Sequence, residues 1–203
     1  QYHCESMDDV LSGHSSIVVE TKTMSCADWV RANEFSTCVQ SMHHFGIMQC
    51  IAMYVRTQYD ISYYDFYTAL HKYIETESDF CRSVFEMASC VLNNFANGRG
   101  GLTYQNDIFG KITYPLEEAV FLLCLYDSDK FYAEMKKFAS AYIADDEFLD
   151  ELIRYQRAVV LKPNENNNEL DFNYNFKDYF DAVLRNEKIE LNKENITESL
   201  ISS

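Results

Sequence analysis

Residues 77–95 read Glu77-Ser78-Asp79-Phe80-Cys81-Arg82-Ser83-Val84-Phe85-Glu86-Met87-Ala88-Ser89-Cys90-Val91-Leu92-Asn93-Asn94-Phe95. Phe80, Val84, Met87, Ala88, Val91 and Leu92 recur at intervals of three and four, which places them on one face of a helix. A strand would need alternation of period two, which this stretch lacks. The spacing predicts a helix from about Glu77 to Phe95, and the same period extends outward on both sides.

Upstream, Ser25 is an N-cap candidate with Asp28 three residues on, so a helix is expected from about Ala27 towards Tyr54, kinked near Gly46. Phe35, Cys38, Val39, Met42, Phe45, Ile51, Ala52 and Val55 form its stripe, and Ile47 and Met48 widen it. Asp60-Ile61-Ser62 reads as a turn and a new cap, opening a helix from Tyr63 to Ile74. Downstream, Asn97-Gly98-Arg99-Gly100-Gly101 stops the pattern. Four of the six glycines lie between Gly98 and Gly110, which marks a flexible surface loop. Pro115 suits a first helical turn before the apolar run Leu116–Tyr126. Asp127-Ser128-Asp129 caps a helix with Phe131, Met135, Phe138 and Tyr142 as its stripe, and Asp145 or Asp146 opens another lined by Phe148, Leu149, Leu152 and Ile153.

Pro163 ends that run, and Asn164–Asn168 is a polar linker. Leu170, Phe172, Tyr174 and Phe176 then alternate with Asp171, Asn173 and Asn175, a strand signal. The branched run Ile17-Val18-Val19 is its expected partner, pairing over Ile17–Glu20, and Phe176–Leu184 reads as a short closing helix. The expected fold is therefore mainly α: a helical bundle of about six helices, with a small two-stranded β element joining the ends. Residues 1–24 read as a strand-containing lead-in from an upstream domain and 25–186 as the helical domain; 187–203 read as a charged, disordered tail.

Composition narrows the function. The 203 residues carry 47% hydrophobic and 15% aromatic side chains, enough for a sizeable core. A net charge of −15 disfavours nucleic-acid and membrane partners. No apolar run approaches the roughly 20 residues of a bilayer span. The acidic start lacks a signal-peptide pattern, and Gln1 in place of an initiator methionine fits a fragment or a processed chain. The seven cysteines are odd in number and widely spaced, as expected of reduced cytoplasmic thiols packed in a core, with no Cys-x-x-Cys knuckle for metal.

Several constellations invite chemistry. The acids of Asp145–Glu151 resemble a magnesium motif, but no second acidic and basic set answers them, and first-turn acids suit a helix dipole. His43 and His44 project about 100° apart on a straight helix, which is poor geometry for sharing one metal. The loop around Arg99 lacks the Gly-x-x-x-x-Gly-Lys order of a phosphate loop, although Arg99 could meet an anion or a neighbouring domain. No nucleophile elbow occurs. Tyr54, Tyr59, Tyr63, Tyr64 and Tyr67 gather around one turn and could line a pocket or an interface.

Five segments carry a family resemblance: Ser16-Ile17-Val18-Val19-Glu20-Thr21-Lys22-Thr23-Met24-Ser25-Cys26-Ala27-Asp28-Trp29; Val39-Gln40-Ser41-Met42-His43-His44-Phe45-Gly46; Ile61-Ser62-Tyr63-Tyr64-Asp65-Phe66-Tyr67; Leu152-Ile153-Arg154-Tyr155-Gln156-Arg157; and Asp171-Phe172-Asn173-Tyr174-Asn175-Phe176-Lys177-Asp178-Tyr179-Phe180. In this order they resemble the C-terminal region of bacterial radical S-adenosylmethionine proteins with a cobalamin-binding domain. Such proteins hold a [4Fe–4S] cluster in a Cys-x-x-x-Cys-x-x-Cys loop and carry Asp-x-His-x-x-Gly in the cobalamin domain. Neither motif occurs here, so no cluster or cobalamin ligand carries over.

The resemblance implies a helical cap beside a barrel, with [4Fe–4S], S-adenosylmethionine and cobalamin used by the parent and no cofactor held by this chain. Its expected partners are the upstream barrel and cobalamin domains and a small-molecule substrate. The expected role is a non-catalytic accessory one, in substrate closure or domain docking. Glu20, Thr21, Thr23, Trp29, His43, His44, Tyr64 and Arg99 are the substrate-binding or interface candidates, with no catalytic and no metal residue. An exposed apolar patch should mark the interface, first of all along Glu20–Met24. Two other readings are a freestanding helical protein-interaction module and a small-molecule enzyme with a pocket around His43, His44 and the tyrosines.

Overall fold

A computed structural model describes residues 2–3, 16–160 and 168–200. It is mainly helical. Among the described residues there are eight α-helices, α1 Cys26–Val39, α2 Gln49–Tyr59, α3 Tyr63–Thr76, α4 Phe80–Ala96, α5 Leu116–Tyr126, α6 Ser128–Ala139, α7 Asp146–Val159 and α8 Phe176–Leu184. Six short strands, β1 Tyr2–His3, β2 Ser16–Ile17, β3 Thr103–Gln105, β4 Thr113–Pro115, β5 Asn168–Tyr174 and β6 Lys193–Leu200, pair antiparallel as β1–β2, β3–β4 and β5–β6.

The helix starts follow local chemistry. Ser25 and Asp28 form a reciprocal capping box on α1. Ser62 caps α3: its Oγ accepts the Asp65 amide at 3.0 Å and donates to the Asp65 carboxylate at 2.6 Å. Asp145 Oδ1 accepts the Phe148 amide at 3.0 Å and opens α7. At the end of α4, Gly98 (φ +74°) reverses the chain, and the amides of Gly98 and Arg99 donate to Phe95 and Asn94 carbonyls at 2.9 and 2.8 Å. This is a Schellman cap, so the glycine-rich loop begins as a helix stop.

Two compact units emerge, residues 1–41 with 71–131, and 42–70 with 132–203. In the first, α1, α4 and α5 pack on one another. Trp29 stacks on Phe95 at 5.7 Å, and Val30, Cys38, Cys81, Val84, Ala88, Leu92, Val120 and Cys124 fill the interior. The hairpin β3–β4, around a 3-10 turn at Asp107–Phe109, lies against α5. In the second, α2 packs on α7 and α8, and α7 on β5. Tyr155, Phe172, Phe176 and Phe180 form one aromatic cluster there, with Tyr155–Phe176 and Tyr155–Phe172 centroids 5.0 and 5.4 Å apart.

Several expectations need correction. The long first helix is two helices. A π-helical turn at Gln40–His44 and Gly46 at φ +87° separate α1 from α2, which raises the helix count above six. The β element does not join the ends as expected: Ile17 pairs with Tyr2, and β5 pairs with β6, Phe172 facing Ile196. The supposed frayed tail therefore carries β6. Its charge suits the exposed side of a strand, and its backbone completes the otherwise open edge of β5. The hairpin β3–β4 was not foreseen, because its three-residue strands are too short for a period to register. Pro163 and most of the linker lie outside the described residues.

The turn between the π-helical segment and α2 is held from α7. Gln156 is fully buried; its Oε1 accepts the Cys50 amide at 2.7 Å and its Nε2 donates to the Gly46 carbonyl. Tyr132 donates to the Ile47 carbonyl at 3.1 Å. Gln156→Leu is expected to lower unfolding free energy by about 1–3 kcal/mol, since the buried Cys50 amide loses its acceptor while the half-buried Gly46 carbonyl is left with the 3.4 Å bond from the Gln49 amide. Urea denaturation of the two proteins checks this.

Candidate functional site

The π-helical turn places His43 against the first turns of α3. His43 Nδ1 lies 2.9 Å from the Tyr67 hydroxyl, and its ring lies 4.9 Å from Tyr63 and 5.4 Å from Tyr67. The Arg56 guanidinium sits 4.7 Å over the Tyr63 ring. Tyr67 is 2% exposed, whereas His43 is half-buried. Burial, and then the charge of neighbouring His44, hold His43 below the ordinary imidazole value. The arrangement offers a neutral imidazole with a fixed phenol partner, two aromatic faces and one cation.

The other candidates are not brought to this cluster. His44 is exposed, its ring 5.6 Å from Phe45. Tyr64 points to solvent at 70% exposure. Tyr54 and Tyr59 belong to a separate aromatic group with Phe148 and Tyr179, where Tyr54 lies 4.8 Å from Phe148 and 6.2 Å from Tyr179. Trp29 is buried against Phe95 and acts in packing. Glu20, Thr21 and Thr23 are exposed; Thr21 Oγ1 accepts the Thr23 and Met24 amides at 3.3 and 3.1 Å, which makes the segment a compact polar turn. Arg99 is exposed on the helix stop.

The acids of α7 serve structure. Asp145 caps the helix, and Lys136 bridges Asp146 and Asp150 at 2.9 and 2.7 Å. Among the described residues no group of three or more His, Cys, Asp or Glu side chains is placed to hold a metal ion. Burial pushes the Cys38 and Cys50 thiols up to about 12, so both are protonated and pack as small apolar side chains. No helix among the described residues is long and apolar enough to cross a membrane.

An apolar surface patch escaped the sequence reading. At the β3–β4 hairpin, Ile108 is 47% and Ile112 56% exposed, and Tyr126 at the end of α5 is 67% exposed. Phe109 joins them, its ring 6.0 Å from Tyr114 and 6.2 Å from Tyr126. Ile17 and Val18, just before the Glu20–Met24 turn, are also exposed, Val18 at 61%. The signal in the sequence is a set of apolar residues inside a glycine-bounded loop, which local pattern alone does not distinguish from a flexible turn.

Two bacterial methyltransferases resemble most of this chain. The 2-(S-pantetheinyl)-carbapenam-3-carboxylate methyltransferase of Streptantibioticus cattleyicolor is 25% identical over 73% of the chain and 24% of its own length. The cobalamin-dependent radical SAM methyltransferase TokK of Streptomyces tokunonensis is 23% identical over the same shares. The chain thus spans about a quarter of the length of these relatives. No family model matches it.

The His43 geometry has a measurable consequence. Because the folded state holds His43 below its ordinary value, the unfolded state binds protons more readily, and stability falls as pH drops below about 6.5. His43→Gln is expected to flatten the slope of unfolding free energy between about pH 7 and about pH 5. Tyr67→Phe, which removes the hydroxyl partner, should cost about 1 kcal/mol at neutral pH. Chemical denaturation across pH reads both.

Proposed function

We propose that this chain is a C-terminal accessory region of a cobalamin-dependent radical S-adenosylmethionine methyltransferase, and that it works by closing over substrate or docking against the rest of the enzyme rather than by bond chemistry of its own. The observation that carries the reading is the distant similarity of most of this chain to a quarter of two such long methyltransferases. In this reading, residues 1–24 lead in from an upstream barrel, which with a cobalamin domain holds the [4Fe–4S] cluster, S-adenosylmethionine and cobalamin. A capping region excludes water from a reactive intermediate.

Two surfaces support contact as the mode of action. The hairpin patch of Ile108, Phe109, Ile112 and Tyr126 is apolar on a chain of net charge −15, as a docking face would be. Ile17 and Val18 offer apolar area beside the Glu20–Met24 turn. The freestanding interaction module would use the same faces on a separate protein.

The coding sequence upstream of Gln1 separates these readings: a Cys-x-x-x-Cys-x-x-Cys motif is expected, and an open reading frame without one overturns the accessory role. In the full-length enzyme, Ile112→Asp is expected to slow methyl transfer at least about tenfold, equivalent to about 1.4 kcal/mol of lost closure, with iron and cobalamin content unchanged. An unaltered rate removes the hairpin from the docking face.

A further inference from the structure

The β5–β6 ladder places an acid where a strand of this kind buries an apolar residue. Glu198 pairs with Leu170 and Ile196 with Phe172, so the two β6 side chains share one face of the ladder. On that face Phe172 is 2% exposed and Glu198 is 5% exposed, more buried than Ile196. Glu198 Oε1 accepts the Lys177 amide at 3.1 Å, in the first turn of α8. Glu198 Oε2 is buried and has no hydrogen-bond partner among the described residues. A carboxylate in this position has one good donor and the favourable end of a helix dipole, but leaves one charged oxygen buried and without a hydrogen-bond partner among the described residues.

The charged groups around it pull in both directions, and burial outweighs them. On α8, Asp178 and Asp181 repel it, while Lys177 attracts it; the Lys177 ammonium also lies 3.5 Å from Asp181. On α7, the Tyr155 phenol interacts with it and is itself raised by burial, and the Arg154 guanidinium lies 4.4 Å over the neighbouring Phe172 ring. On β5 the paired residue is Leu170, which offers nothing.

We propose that β6 is a proton-gated strap: it lies docked on β5 and α8 while Glu198 carries a proton, and it loosens when Glu198 ionises. Loosening lets water reach the carboxylate and bares the edge of β5, residues Asn168–Tyr174, with unpaired amides and carbonyls on which a further extended segment can pair. Phe172, which packs 5.4 Å from Tyr155 and 5.9 Å from Phe176, anchors β5 in either state. Burial, the largest cause, raises Glu198 above the ordinary glutamate value. A raised folded-state value means that the strap's proton-linked stability is fully present below the ordinary value of 4.5 and is lost as pH rises through the folded value. The strap does not depend on the methyltransferase reading.

Hydrogen–deuterium exchange on the chain, corrected for intrinsic rates, tests this from about pH 4 to about pH 8. The amides of Ile196–Glu198 are expected to lose protection at least about tenfold across that rise, while those of α7 hold theirs. Glu198→Gln should keep β6 protected at every pH. Flat protection in the wild-type protein overturns the proposal, as does a Glu198→Gln protein that still loosens with the wild-type midpoint. Should Glu198→Gln fail to fold, carboxyl-carbon NMR of the wild-type chain decides instead. A Glu198 midpoint above 4.5 supports the strap, and one at or below 4.5 sinks it.

Discussion

The side-chain amide of Gln156 is the constraint around which the second unit is arranged. Gly46 turns the chain at φ +87°, and Met48, at the start of α2, offers no side-chain cap. The Cys50 amide, in the first turn of α2, is then left without a helical partner, and the Gly46 carbonyl meets the Gln49 amide at a long 3.4 Å; a buried backbone group left unpaired costs about 1–3 kcal/mol. A glutamine answers both, because it carries one donor and one acceptor on one planar group. Glutamate would lack the donor, leucine both. With the turn held this way, Met42, Ile47 and Met48 are fully buried, and His43 is presented to Tyr63 and Tyr67.

The acidic surface has a structural explanation at many of its positions. Asp28, Asp65 and Asp145 sit at helix starts, where backbone amides favour them, and Asp146 and Asp150 share Lys136. Exposed pairs of this kind add little stability and mainly keep the surface solvated. Against that background the apolar hairpin stands apart. Ile108, Ile112 and Tyr126 leave about half or more of their area exposed beside the half-buried Phe109, and apolar area of this kind suits contact with something else. The similarity to part of two longer methyltransferases is consistent with a neighbour in the same polypeptide.

Much of the helical layout was legible in the sequence. Ser25 with Asp28, the cap at Asp60-Ile61-Ser62, and Asp145 act as the local chemistry of a helix start requires, because capping involves residues about three apart in the chain. The stripes on α4, α6 and α7 turned inward for a similar reason, since a helix brings residues three and four apart onto one face. The candidate site was only half legible. His43 is legible as a polar residue on an apolar helix, but the sequence does not pair it with Tyr67, which reads as one of a tyrosine group on a helix face, and Trp29 lies in the core.

The sequence by itself determined where helices begin, which faces they bury, and that the chain is acidic and mainly α; these depend on neighbours within one or two turns. Tertiary structure alone decided that Gln156 clamps a turn 106 residues away, that the charged tail closes the β5 edge, and that Glu198 enters the interior. Backbone amides and carbonyls are the same at every residue, so the sequence does not encode which distant segment will satisfy them. That choice is made only when the folded chain leaves a particular donor or edge unpaired.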